Sequence, residues 1–195
     1  MVAARNPIPV RMTVDEFLSW EPTDRSGRLW QLVDGEPVAM APGSQNHGAL
    51  QGEIGRLIAN HLHATRPNCR LIVTPGVVPR LSASRNVRIP DLGVTCSPPS
   101  AEIVVPDPVL LVEILSPSNE AATWRNIWAY TTIPTVTEIL AVRSTRIDAE
   151  LLRRQPDGNW PKQPDIRRAG DQLTLTSIAM SLTLDAFYAT SSLRP

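Results

Sequence analysis

"RIPDLGVTCSPPSAEIVVPDPVLLVEILSPS", residues 88–118, contains two apolar runs, and each carries one acidic residue: Asp91 in the first and Glu113 in the second. The second run, "PVLLVEIL", is continuous rather than alternating, the pattern of a strand covered on both faces. An ionised carboxylate in such a place is costly unless it is paired, hydrogen-bonded or bound to a metal. A cation or a substrate is one partner that relieves the cost. The other reading puts one or both acids at strand ends, where they reach water.

Outward from this stretch the chain reads as a succession of short elements. On the C-terminal side, Ser118 or Asn119 can cap a helix, "EAATWRNIWAYTTI", in which Trp124, Ile127 and Trp128 share a stripe. That helix feeds a second buried strand, "TEILAV", and strand, helix, strand is the usual right-handed crossover between parallel strands. "IDAELLRR" and "DQLTLTS" suggest a further antiparallel hairpin, and Asp185 is placed to cap a last short helix, "AFYAT".

On the N-terminal side, "CRLIVTPGVVPRL" and "NVRIPDLGVTC" read as strands. Before them, "SQNHGALQGEIGRLIANHLHATRP" places Leu50, Ile54, Leu57, Ile58 and Leu62 at helical spacing, with Ser44 as cap and Pro67 as stop. "RLWQLVDGEPVAMAP" is a hairpin turning at Asp34-Gly35. "MTVDEFLSW" opens a short helix with a Thr13/Glu16 capping box. Residues 1–11 read as a Pro-rich arm ahead of one domain that takes in the whole chain, 1–195.

Composition narrows the function classes. The chain is 42% hydrophobic and 19% charged with a formal charge of zero, so it is an ordinary globular protein that offers nucleic acid no strong overall attraction. No stretch approaches the roughly 20 apolar residues of a membrane span, and no signal-peptide layout opens the chain, which points to the cytoplasm. Cys69 and Cys96 are too few for a disulfide framework or a zinc cluster and read as small core hydrophobes. The basic residues are lopsided: eighteen arginines and a single lysine, Lys162.

Two acids from adjacent strands aimed at one sheet edge make an oxygen-rich seat for Mg²⁺ or Mn²⁺. Such an ion polarises a phosphoryl oxygen and lowers the pKa of a bound water, chemistry that suits phosphodiester hydrolysis. The spacing of a Pro-Asp pair and a later Glu is loose, but its surroundings are more specific. "WQLVDGEPVAMAPGSQNH", then "PDLGV", then "VEILSPS", then "NIWAY" and "EILAV" follow one another in an order that resembles the Uma-two family of predicted restriction endonucleases, over roughly residues 12–150.

The resemblance implies an α/β, restriction-endonuclease-like core: a central mixed sheet flanked by helices, with a PD-(D/E)XK nuclease site acting on DNA. It makes Asp91 and Glu113 the metal-binding acids, with a backbone carbonyl of Ile114 or Leu115 beside them, and brings His47 to the same cleft. Two positions depart from the family. Gln31 stands where members carry Glu, and Asn126, four residues before Tyr130, stands where they carry the lysine. Asn126 and Gln31 can help position a water, but neither supplies a positive charge. Arg125 points about 100° around the helix from Asn126.

The leading expectation is therefore a Mg²⁺- or Mn²⁺-dependent endonuclease, weakened by the missing lysine. The alternative from another class is a catalytically inactive nuclease fold acting as a nucleic-acid-binding or protein-interaction module. The arm at the N-terminus suggests a homodimer.

Overall fold

Six of the strands between residues 70 and 168 join into one sheet because their apolar residues need cover on two sides. The computed structural model describes residues 11–22 and 27–193. The sheet runs β3 (Arg70–Val73), β4 (Leu92–Thr95), β5 (Pro108–Leu115), β6 (Glu138–Arg143), β7 (Asp148–Arg153) and β8 (Asp165–Arg168), in that spatial order. Only β5 and β6 pair in parallel, and the helix α3 (Glu120–Tyr130) connects them. The sheet is thus mixed, as the sequence leads one to expect.

Period-2 alternation along β5 sends its residues to two different cores. Leu110, Val112 and Ile114 join Leu50, Ile54, Ile58 and Leu62 of helix α2 (Gln45–Thr65), together with Phe187 and Tyr188 near the C-terminus. Leu111 and Leu115 join Ile127 and Tyr130 of α3. Glu113 has the parity of the second set. The apolar stripe read from the sequence is the buried face of α2, and the Ser44 hydroxyl caps its start by accepting from the His47 amide at 3.2 Å.

The hairpin β1 (Trp30–Val33) and β2 (Glu36–Ala39) turns through Asp34 and Gly35, both at positive φ (50° and 87°), the geometry of a type I′ turn. Asn86 exchanges two hydrogen bonds with Asp34, and Leu32 bridges Val87, so the hairpin is tied to the segment leading into β4. Helix α1 (Val14–Leu18) carries the expected capping box between Thr13 and Glu16.

Several expectations change. Cys69 and Cys96 form a disulfide, with Cα atoms 3.9 Å apart, and are not small core hydrophobes. The antiparallel register that sets Arg70 against Thr95 continues outward to set Cys69 against Cys96, so the long sequence separation is closed by the sheet. The expected hairpin of "IDAELLRR" with "DQLTLTS" does not form. β7 pairs with β8, while β9 (Gln172–Leu175) pairs with β10 (Met180–Thr183) in a separate ribbon. Alternation identifies a strand but not its partner.

Asp185 is not a cap: it lies inside a 3-10 turn (Leu184–Tyr188), and its carboxylate accepts from the Gly170 amide. Neither Ser118 nor Asn119 caps α3 by a side chain; Asn119 sits at the cap position but its Oδ1 accepts from the Ser116 amide and hydroxyl. Of the α3 stripe, Ile127 is buried and Trp128 is 46% exposed. The expected N-terminal arm falls almost wholly on residues outside the described set. Among the described residues no helix is long and apolar enough to cross a membrane.

Glu138 opens β6 with no exposure at all and holds the ribbon to the sheet. It accepts from Arg153 Nε (2.7 Å), the Thr176 amide (3.1 Å) and hydroxyl (2.9 Å), and the Ser177 amide (2.7 Å). Burial pushes its carboxyl up, but the hydrogen bonds from Ser177, Arg153 and Thr176 outweigh burial and hold it below the ordinary 4.5. A pKa depressed on folding adds stability above the unfolded value, and that stability is lost as pH falls through the folded value. Glu138→Ala, which strands buried donors, is expected to cost about 3 kcal/mol in urea unfolding at neutral pH, and its deficit should shrink in acid.

Candidate active site

Two strands and two helices converge where β4 begins. The β4–β5 register pairs Leu92 with Val112, and one further step sets Asp91 opposite Glu113. Both acids are nearly buried, at 8% and 6% exposure. Like charges placed directly across a ladder repel. Burial, and then the charge of Asp91, push the Glu113 carboxyl well above the usual carboxylate range.

Each acid is held by a neighbour. Asp91 Oδ2 accepts from the Ile114 amide at 2.7 Å, and His47 Nε2 lies 2.9 Å from Asp91 Oδ1, where the imidazole donates. Gln51, one turn after His47 on α2, donates to the Asp91 carbonyl at 3.0 Å. Gly43 leaves room for the histidine, since a Cβ there would lie 2.7 Å from the ring. On the α3 side, the Tyr130 hydroxyl donates to Glu113 Oε1 at 2.6 Å. Burial, and then the charges of Glu113 and Asp91, push its phenol well above the ordinary tyrosine value.

The two positions at which the resemblance leads one to expect an acid and a lysine, Gln31 and Asn126, meet each other. Asn126 Nδ2 donates to Gln31 Oε1 at 3.2 Å, which joins α3 to the N-terminal hairpin. Asn126 Oδ1 accepts from Arg88 Nη1 at 3.3 Å. Arg125, on the neighbouring position of α3, is exposed. Asp91 and His47 also help line an open cavity of about 730 Å³, bounded further by Thr74, Gln51 and the loop from Met40 to Ser44.

The five residues singled out in the sequence, Asp91, Glu113, His47, Asn126 and Gln31, therefore lie in two linked groups: His47 with the acid pair, and Asn126 with Gln31. Arg88, Gln51 and the role of Tyr130 were not legible in that reading. The signal for Arg88 was present, because an arginine inside "NVRIPDLGV" is the same anomaly as Asp91 in that run. The carbonyl of Leu115 already accepts from both the amide and the hydroxyl of Ser144, at 3.0 and 2.9 Å. That leaves Ile114 as the better candidate for a backbone oxygen beside the acids.

The donor set suits a small hard cation. Asp91 accepts two hydrogen bonds and Glu113 one, so both keep lone pairs free, and all of these donors are oxygens. Among the described residues no group of three or more His, Cys, Asp or Glu side chains could hold a metal together. Two carboxylates with the remaining positions left to water match Mg²⁺, which sheds its waters reluctantly, better than an all-protein cage.

Comparison with known proteins agrees with this architecture. A curated relative from Synechocystis sp., called "Uncharacterized protein slr1290", is 31% identical over 185 residues, covering 93% of each chain. A crystal structure described as a putative nuclease belonging to DUF820, from Anabaena variabilis, superimposes with a TM-score of 0.73 over 91% of this chain and 98% of its own. At 17% identity that likeness establishes the fold alone. The family model described as "Putative restriction endonuclease" matches residues 14–186, nearly the whole chain, and the chain therefore belongs to the Uma2 family.

Proposed function

We propose that the protein is a divalent-cation-dependent endonuclease that hydrolyses phosphodiester bonds in DNA, with the cation held by Asp91 and Glu113. The observation that carries this reading is the register that sets the two acids opposite one another, nearly buried and, among the described residues, with no arginine or lysine side chain bonded to either. When bound, Mg²⁺ or Mn²⁺ supplies a Lewis acid for a phosphoryl oxygen and lowers the pKa of water.

The chain's own residues fix the geometry around that ion. His47 and the Ile114 amide lock the Asp91 carboxylate, and Tyr130 locks Glu113, as neighbours of metal ligands commonly do. The Ile114 carbonyl is the backbone oxygen available to join them. Asn126 and Gln31 offer amide groups that orient a water for in-line attack. The cavity beside His47 and Asp91 takes the sugar-phosphate strand.

The test is nicking of supercoiled plasmid in Mg²⁺, in Mn²⁺ and in EDTA, with the Asp91→Ala/Glu113→Ala protein purified in parallel. Cation-dependent cleavage that the double variant lacks is the expected result. No cleavage, or equal cleavage by both proteins, removes the reading.

A further inference from the structure

Arg88 lies three residues before Asp91 and is 8% exposed. Among the described residues its guanidinium makes one hydrogen bond, to Asn126, and its Nε is buried with no partner. Among the described residues no carboxylate forms an ion pair with it. A buried guanidinium is normally repaid by an anion, and here the neighbouring acids are engaged elsewhere. Asp91 is bonded to His47 and the Ile114 amide, and Glu113 to Tyr130. Burial disfavours the charged guanidinium, and across space Asp34 attracts it while the exposed Arg125 repels it.

Arg88, without a bonded anion, and the acid pair, without a cation, are joined through α3, since Arg88 bonds Asn126 and Tyr130, one turn further along the helix, bonds Glu113. One ligand relieves both deficits: a phosphate group carrying its negative charge to the arginine while a divalent ion meets the acids. We propose that Arg88 forms an oxoanion subsite that receives a non-bridging oxygen of the substrate phosphate, Asn126 and Gln31 acting as positioning residues that hold the guanidinium in place. The planar fork of an arginine matches two phosphate oxygens at once, and its unpartnered Nε is one tine of that fork. Positive charge thereby reaches the reacting group from the strand side, where a lysine at position 126 would have brought it from the helix. The substrate assignment rests on the phosphodiester reading above; the anion site does not.

Titration calorimetry of inorganic phosphate into the full chain in EDTA reads the subsite without any cation or turnover. Wild type is expected to bind, Arg88→Met to bind at least tenfold more weakly, and Arg88→Met/Asn126→Lys to recover most of the loss, which a merely structural arginine would not allow. No binding by wild type, or equal binding by Arg88→Met, overturns the proposal. Should Arg88→Met fail to fold, tungstate soaked into wild-type crystals gives the same answer: an anomalous peak within hydrogen-bond reach of the Arg88 guanidinium supports it, and an empty position overturns it. Cation-dependent cleavage that proceeds at full rate in Arg88→Met removes the subsite and leaves the nuclease reading. Arg88-dependent phosphate binding by a protein that cleaves nothing does the reverse.

Discussion

Asp91→Asn is expected to lower Mn²⁺-dependent plasmid cleavage about 1000-fold, yet to melt at or slightly above the wild-type temperature. The substitution keeps the shape of the side chain, and the amide oxygen still accepts from the buried Ile114 amide. What disappears is the negative charge that would grip the cation and the anchor for His47. Losing several kcal/mol of electrostatic stabilisation in the transition state, at roughly 1.4 kcal/mol per tenfold, gives the stated factor. Asp91→Ala is equally inactive but less stable, because it orphans a buried amide at a cost of about 1–3 kcal/mol. Parallel single-turnover assays and thermal melts of the two variants separate charge from packing. Asn at 91 with wild-type activity would dismiss the acid from the chemistry.

Glu113→Gln has effects of opposite sign on stability and on cation response. In EDTA at neutral pH it is expected to stabilise the protein by about 2 kcal/mol, because it removes the carboxyl that burial and the charge of Asp91 penalise whenever it ionises, while Gln still accepts from Tyr130. Wild type gains from Mn²⁺ by mass action, about 2.7 kcal/mol at a hundredfold excess over its dissociation constant, or several degrees for a chain of this size. The variant gains almost nothing. A protein more stable than wild type without the ion and less responsive with it is the mark of a site that gives up stability for function. If Mn²⁺ stabilises Glu113→Gln as strongly as wild type, Glu113 is not a ligand.

The parts of the molecule that local chemistry dictates were legible in the sequence. The stripe Leu50, Ile54, Ile58 and Leu62 gave α2 and its buried face, Asp34-Gly35 gave the hairpin, and the run from Val109 to Leu115 gave a strand covered on both sides. The acids at 91 and 113 stood out because a carboxylate in an apolar run demands a partner. Pairing was less legible, because alternation does not say which strand lies alongside: β9 joined β10 rather than β7. The Cys69–Cys96 pair depends on the β3–β4 register in the same way. Arg88 escaped notice because arginines are usually solvated, and only the structure places its guanidinium against Asn126 with Nε buried and unpartnered.

The central claim is that Asp91 and Glu113 close on one cation, and Mn²⁺-soaked crystals measured at an anomalous wavelength test it most directly. The expected result is a single peak about 2.0–2.4 Å from a carboxylate oxygen of each residue. A peak elsewhere, or none at saturating Mn²⁺ with the acids held as they stand opposite one another, contradicts it.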